Sequence, residues 1–184
     1  MKNSIIVVIF FSFISTLFAK TFPVKISGQD LYSKKTKTLI LQRNNKKATV
    51  VLFLSTKCPC SRSHFPHFID LANKFKDFNF VAVHSNEDES LKKLEDYYKE
   101  IPQRLFNVYY DYDGKLAEMF GAVKTPHSFI ISPKGELLYH GGCSDASNFQ
   151  KSNKKFLAAA LEQINQGKKP EKNYARALGC YIRR

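Results

Sequence analysis

The sequence has no tryptophan, only four cysteines, and 16 acidic residues against 29 Lys and Arg. Sixteen Phe and nine Tyr supply the bulky core side chains that tryptophan would otherwise provide. With 43% hydrophobic residues over 184 positions, global disorder is excluded and one compact domain is expected. The sequence also lacks internal repeats, low-complexity tracts and any recognisable interdomain linker.

The shortage of acidic residues gives the chain a formal net charge of +13, which is spread along its whole length. Such a surface attracts anions such as nucleic acid or acidic membranes. Neither an aromatic-interleaved basic motif nor zinc-finger spacing accompanies the lysines, so the sequence indicates no nucleic-acid partner. We interpret the charge as a basic, soluble surface.

The N-terminal segment has the pattern of a secretory signal. Lys2 precedes an apolar run over residues 5–11, and Ala19 stands before charged Lys20. This pattern predicts a signal peptide over residues 1–19 and a mature domain over residues 20–184. The apolar run is shorter than the roughly 20 residues of a membrane span. Leu17 fits the small-residue cleavage preference poorly, which leaves an uncleaved N-terminal anchor as the alternative.

Export determines how the cysteines are interpreted. The expected location is periplasmic or secreted, without stable membrane insertion once the signal is removed. No cysteine lies near the cleavage position, so no lipid anchor is indicated. Disulfides persist in such a compartment, and four cysteines allow three fully paired connectivities.

The hydrophobic pattern alternates between strands and helices. It predicts strands over residues 48–54, 79–84 and 106–110, and an antiparallel hairpin over residues 128–131 and 137–140. One helix is predicted directly after Cys60, and further helices are predicted over residues 87–99, 115–120 and 153–165. Residues 20–43 are a short lead-in with one strand near 37–42. The order predicts an α/β fold whose mixed sheet carries helices on both faces.

The sequence Cys58-Pro59-Cys60 lies where the first buried strand ends and a helix begins. Reaction sites of open α/β sheets lie at the carboxyl ends of strands. A thiol at a helix N-terminus meets unsatisfied N–H groups and the positive end of the helix dipole, which favour the thiolate. Cys58 is therefore the candidate nucleophile.

The order and spacing of several motifs resemble the thioredoxin superfamily and, more narrowly, the exported redoxins of the AhpC/TSA, peroxiredoxin-like group. The resemblance extends from about Asp30 to Arg184. It rests on these features: the strand VVLFLSTK, the Ser55-x-x-Cys58-Pro59 pattern, Pro66, the turn Asp111-Tyr112-Asp113-Gly114, Phe120-Gly121-Ala122, Thr125-Pro126, Tyr139-His140-Gly141 and Gly179-Cys180-Tyr181-Ile182.

This resemblance implies a thioredoxin-like three-layer α/β/α sandwich with a mixed central sheet. It implies that Cys58 is the catalytic nucleophile. The nearby Cys60 is the second candidate catalytic residue, which could resolve a mixed disulfide on Cys58. The resemblance further implies that the Thr125–Pro126 bond is cis, lies beside the active cysteine and presents backbone groups to the substrate.

Two departures from the family pattern affect function. Ser61 occupies the usual second cysteine position, and a Cys58–Cys60 disulfide would close a very small, strained and easily reduced ring. Val51 stands where the peroxiredoxin pattern carries a proline, which weakens the case for peroxidase activity.

Cys143 and Cys180 have three roles open to them. They could form a structural Cys143–Cys180 bridge, either one could act as the resolving thiol for Cys58, or they could remain free or pair otherwise. Cys143 follows the predicted hairpin, and Cys180 lies in a C-terminal tail.

The histidines suggest a metal-binding alternative. His64 and His67 lie three residues apart on one helix and are expected to be exposed or to act as caps. His127, next to Pro126, is expected closer to the thiols. The cysteine pair with His64 or His127 could bind a soft ion such as Cu(I).

The leading interpretation is a thiol–disulfide oxidoreductase that needs no cofactor and no resident metal. It would act on protein or small-molecule disulfides and receive electrons from an unidentified donor. A thiol peroxidase that reduces peroxides through Cys58 is the alternative enzyme. A non-enzymatic Cu(I) chaperone or redox sensor is the alternative outside catalysis.

The signal hypothesis predicts the mature N-terminus. N-terminal sequencing and intact-mass measurement of the exported protein should give a chain that begins at Lys20. A mature protein that still carries Met1 and the apolar run would identify the segment as an anchor instead.

Overall fold

The structure is a computed structural model that describes residues 22, 25–41, 45–102 and 105–184. The signal peptide predicted over residues 1–19 lies outside the described residues. Among the helices in these ranges, none has the length and apolar character needed to cross a membrane.

The strands of the described residues are β1 Lys25–Asp30, β2 Thr36–Ile40, β3 Thr49–Leu54, β4 Asn79–His84, β5 Asn107–Tyr110, β6 Lys124–Thr125, β7 His127–Ile131, β8 Leu137–Gly141, β9 Tyr174–Ala175 and β10 Cys180–Tyr181. Eight of these strands form one mixed sheet in the order β2-β1-β5-β4-β3-β7-β8-β9. Strands β3, β4 and β5 are parallel to one another, and β7 pairs antiparallel with β3. The other two strands, β6 and β10, form a separate antiparallel pair.

The sheet is covered on both faces, which is why its central strands read as unbroken apolar runs. Alternate residues of β3 point to opposite sides: Val50 and Leu52 join one hydrophobic cluster, whereas Val51 and Phe53 join the other. Helices α1 (Pro59–Lys74), α2 (Leu91–Tyr98) and α4 (Phe156–Asn165) contribute to the first cluster, and α3 (Lys115–Phe120) contributes to the second. The predicted three-layer α/β/α architecture is confirmed.

The structure corrects some element boundaries. The lead-in over residues 20–43 contains two strands rather than one, because β1 and β2 pair antiparallel as a hairpin. Helix α2 begins at Leu91 because the Ser90 side chain caps it by accepting from the Lys93 N–H. Helix α4 begins only at Phe156, after a segment held by hydrogen bonds to the Asp145 carboxylate.

The turn between β5 and α3 is organised by one buried carboxylate. Asp111 accepts from the backbone N–H groups of Leu116 and Ala117, each at 3.0 Å, and from the Ser85 hydroxyl at 2.7 Å. Gly114 supplies the left-handed backbone at the start of α3, with φ of 68°. Asp111 thus ties the first turn of α3 to the end of β4.

Replacing this carboxylate should destabilise the fold. Asp111→Ala leaves three buried donors without an acceptor, so we expect a loss of about 2 kcal/mol in the free energy of unfolding, measured by urea denaturation. Asp113→Ala is the matched control, because Asp113 holds only Lys115 at the surface and its loss should cost less than about 1 kcal/mol. Equal effects of the two substitutions would contradict this role for Asp111.

Candidate functional site

Cys58 is the N-cap residue of α1. Its backbone is extended, with φ of −78° and ψ of 115°, and Pro59 follows as the first helical residue. The Ser61 N–H donates to the Cys58 sulfur at 3.5 Å. Only 3% of Cys58 is exposed, so this residue at the N-terminus of α1 is largely shielded from solvent.

The Thr125–Pro126 segment lies directly against Cys58. The peptide bond between Thr125 and Pro126 is cis. The Cys58 thiol donates to the Thr125 carbonyl oxygen at 3.1 Å. The N-terminus of α1 and the Thr125–Pro126 segment therefore meet at Cys58, although they are far apart in the sequence.

The C-terminal tail brings a third cysteine to this point. Strand β10 pairs antiparallel with β6 so that Cys180 lies opposite Thr125. The sulfur atoms of Cys58, Cys60 and Cys180 all lie within 4.8 Å of one another. At Gly179 an added Cβ would lie 2.0 Å from the Thr125 carbonyl oxygen, so only glycine permits this close approach.

Further backbone contacts hold the tail in place. The Ile182 N–H donates to the Val123 carbonyl at 3.1 Å. The Arg183 N–H donates to the Asn86 side-chain oxygen at 2.9 Å, and the Arg183 carbonyl accepts from the Glu87 N–H at 3.1 Å. The tail is thus clamped between the proline segment and the loop after β4.

The three thiols differ in acidity. Burial by itself would raise the pKa of the Cys58 thiol, but hydrogen bonds from Cys180 and from the Ser61 N–H lower it to about 7. Burial, the hydrogen bond to Cys58 and the charge there raise the pKa of Cys180 to about 12. Burial and the Cys58 charge also raise the pKa of Cys60. At neutral pH roughly half of the Cys58 thiols are therefore ionised, whereas the Cys60 and Cys180 thiols stay protonated.

The structure contradicts a Cys143–Cys180 bridge. All four cysteines are free thiols, and Cys143 is 2% exposed within the core cluster that includes Tyr139 and Leu157. Burial raises the pKa of Cys143 to about 12. The β10–β6 pairing carries Cys180 to Cys58 instead. Of the two remote candidates for a resolving thiol, the structure brings Cys180 to the site, where Cys60 also lies.

The expectation that His64 is exposed or caps the helix is wrong. His64 is 1% exposed, and its two ring nitrogens lie 2.8 Å from the Cys60 carbonyl and 2.8 Å from the Ser144 hydroxyl. His64 precedes Phe68 by four residues and therefore lies on the apolar face of α1, a signal that the sequence contained. His67 is half-buried and stacks on Phe149, with ring centroids 4.3 Å apart.

His127 also has a different position from the one expected. Its ring stacks on Phe129, with centroids 4.5 Å apart, and burial lowers its pKa to about 4. Neither His127 nor His64 joins the group of potential ligand atoms around Cys58; the third member of that group is Cys180.

A buried polar network supports the loop before Cys58, and the sequence analysis missed it. The Glu89 carboxylate accepts from the Thr56 N–H at 2.5 Å and hydroxyl at 2.6 Å, and it lies 3.3 Å from His84 Nδ1. The Tyr98 hydroxyl lies 3.0 Å from the other His84 nitrogen. Burial would raise the pKa of Glu89, but hydrogen bonds from His84 and Thr56 hold it below its usual value. No motif marks this network, because its members come from β4, α2 and the two loops that follow β3 and β4.

A cavity of about 270 Å³ opens beside Cys58 and Cys180. Its charged rim is formed by Lys57, Asp88 and Arg183. Asp88 pairs with Lys57 at 2.7 Å and with Arg183 at 3.6 Å. The cavity is thus lined by both Cys58 and Cys180 and has charged side chains at its rim.

The acidity of Cys58 should depend on the tail. Cys180→Ala removes the largest hydrogen-bond contribution that lowers the Cys58 pKa, so that pKa should rise above 7. A rise of one unit, from about 7 to about 8, would slow iodoacetamide alkylation of Cys58 at pH 7 about fivefold, because only the thiolate reacts. The measurement is the pH profile of alkylation, with the modified residue identified by peptide mass spectrometry. Cys143→Ala is the control and should leave the profile unchanged; an unchanged profile in Cys180→Ala would contradict the assignment.

Comparison with solved structures shows the same fold in proteins of low sequence identity. An uncharacterised conserved protein of Geobacillus kaustophilus superposes with a TM-score of 0.78 at 22% identity, covering 90% of this chain and 91% of that one. The exposed lipoprotein thioredoxin of Streptococcus pneumoniae gives 0.57 at 18%, covering 77% and 98%. A secreted disulfide oxidoreductase of Mycobacterium tuberculosis gives 0.52 at 16%, covering 62% and 81%.

Sequence comparison supports the same assignment. Among curated proteins, none matches this sequence. A family model described as thioredoxin-like matches residues 45–137, which include the cysteine pair and the Thr125–Pro126 segment. Because that match spans just over half of the chain, and the solved structures share its fold, this chain belongs to the thioredoxin-like family.

Proposed function

We propose that the protein is an exported thiol–disulfide oxidoreductase in which Cys58 attacks the substrate and Cys180 resolves the intermediate. The observation that carries the proposal is the position of the Cys180 sulfur, within 4.8 Å of the Cys58 sulfur at the end of a paired strand. The fold class and its thiol-oxidoreductase neighbours support the general chemistry. The N-terminal signal pattern supports export.

The first step is attack by the Cys58 thiolate on one sulfur of a substrate disulfide. A new sulfur–sulfur bond joins Cys58 to that half of the substrate, and the other half leaves as a thiolate that takes a proton from water. A pKa of about 7 suits this task, because thiolate is abundant while the sulfur keeps much of its nucleophilicity.

The second step is attack by Cys180 on the Cys58 sulfur of the mixed disulfide. Cys180 loses its proton, a Cys58–Cys180 disulfide forms, and the second half of the substrate leaves as a thiolate. While Cys58 is charged, that charge helps to keep Cys180 protonated. Once the charge on Cys58 is consumed, this barrier to deprotonation disappears, so the electrostatics favour the two steps in this order. A donor dithiol then reduces the Cys58–Cys180 disulfide.

The tail also favours a class of substrate. Strand β10 is paired with Thr125, the residue whose backbone the resemblance assigns to substrate binding. An extended polypeptide cannot pair there while the tail is docked, whereas a small disulfide can reach Cys58 through the adjacent cavity of about 270 Å³. We therefore propose small-molecule disulfides as the preferred substrates, with Thr125 and Pro126 forming one wall of the site.

Non-reducing peptide mapping tests which thiol resolves Cys58. Reduced wild-type protein treated with one equivalent of glutathione disulfide should form a Cys58–Cys180 bridge. Cys180→Ser should instead accumulate a mixed disulfide of glutathione on Cys58, because the intermediate has lost its resolving thiol. Cys60→Ser should still form the Cys58–Cys180 bridge.

The controls separate this scheme from its alternatives. Cys143→Ala should behave as the wild type, and Cys58→Ser should form neither species. A Cys58–Cys60 bridge in the wild type, or rapid resolution in Cys180→Ser, would overturn the role of Cys180. Faster oxidation of Cys58 by hydrogen peroxide than by glutathione disulfide in stopped-flow measurements would favour the peroxidase instead.

A further inference from the structure

Cys60 is left unused by the exchange between Cys58 and Cys180. Its sulfur nevertheless lies within 4.8 Å of both other sulfurs, on the first turn of α1. A direct Cys58–Cys60 bond would have to close across a single proline, which opposes relaxed disulfide geometry. A group that bridges the sulfurs without bonding them to one another does not meet that obstacle.

We propose that the reduced centre binds one Cu(I) ion through the sulfur atoms of Cys58, Cys60 and Cys180. Thiolates are the ligands that soft ions such as Cu(I) prefer. Three sulfurs placed about 2.3 Å from a central ion in a trigonal plane lie about 4 Å apart. The three sulfurs already lie within 4.8 Å of one another, so a contraction of less than an ångström closes the site.

The position of each sulfur matches this role. Cys58 and Cys60 come from the start of one helix, and Cys180 comes from a strand fixed by the β6 pairing, so the ligands approach from two rigid elements. Cys60 and Cys180 are partly exposed, and the cavity beside Cys58 provides an entry path. Within the part of the chain that the structure describes, no histidine or carboxylate joins this group, which favours three-coordinate binding over the four-coordinate arrangement typical of Zn²⁺.

Cu(I) binding releases protons from the thiols and requires the reduced form of the protein. The ion replaces the protons of Cys60 and Cys180, and that of Cys58 where it is present, so up to three protons leave and no electron is transferred. A Cys58–Cys180 disulfide removes two of the ligands. Copper binding and disulfide exchange therefore compete for the same sulfurs, and only the reduced protein holds the ion.

The test is anaerobic titration of the reduced protein with Cu(I) in competition with a chromogenic Cu(I) chelator. The wild type should retain one equivalent. Cys60→Ser and Cys180→Ser should each weaken retention by more than the roughly 10–100-fold cost of removing a hydrogen-bond partner of a metal ligand. X-ray absorption on the loaded wild type should give three sulfur neighbours, and Cys180→Ser should give two.

Cys143→Ala is the matched control, since it removes a cysteine outside the cluster and should leave Cu(I) retention unchanged. Wild-type protein that yields the ion to the chelator as readily as Cys60→Ser would overturn the proposal. So would two sulfur neighbours in the wild type with retention insensitive to Cys180→Ser. These outcomes are distinct from those of the oxidoreductase scheme, because Cu(I) retention is measured on the fully reduced protein without a disulfide substrate, whereas the peptide map after glutathione disulfide treatment is read without copper.

Discussion

The pairing of β10 with β6 is the contact on which the site depends. Two residues of the tail align with Lys124 and Thr125, and this alignment delivers the Cys180 thiol to the Cys58 sulfur. Without it, Cys58 would keep the helix N-terminus and the Thr125 carbonyl but lose a hydrogen-bond donor that lowers its pKa. The close approach in turn requires Gly179, where no side chain fits against the Thr125 carbonyl. A short strand thus determines both the acidity of the nucleophile and the identity of its partner.

The Cys58 thiolate is stabilised chiefly by hydrogen-bond donors rather than by a cation. The groups that lower its pKa are thiol and backbone donors, whereas the adjacent Lys57 is paired with Asp88. Fixed donors in a buried site are screened by salt much less than exposed ion pairs are. The Glu89 network maintains this arrangement indirectly, because it holds the Thr56 backbone and hence the path of the chain from β3 into α1.

Much of the fold and half of the site could be predicted from local sequence. The apolar run of β3 and the spacing of Phe65 and Phe68 on α1 predict a strand–helix junction at Cys58. The structure confirms this position. Such patterns are readable because burial repeats with a fixed period along each element. The motif resemblance, rather than any pattern of burial, pointed to the Thr125–Pro126 segment.

The remaining half depends on long-range contacts that carry no periodicity. Strands β6 and β10 are two residues each, too short for an alternating pattern, so the sequence could not choose between Cys143 and Cys180. The Glu89–Thr56 hydrogen bond joins two loops that lie 33 residues apart and has no motif. His64 differs from the expectation for another reason. It lies on the apolar face of α1, and it is buried there because the Cys60 carbonyl and the Ser144 hydroxyl provide hydrogen-bond partners for its two ring nitrogens.

Because the tail completes the centre, the order of synthesis matters to it. Cys58 and Cys60 leave the ribosome long before Cys180, which lies more than one hundred residues further along the chain. The hydrogen bond that lowers the Cys58 pKa therefore forms only once the last segment of the chain has docked against β6. The acidity of the nucleophile is coupled in this way to the completion of folding at the C-terminus.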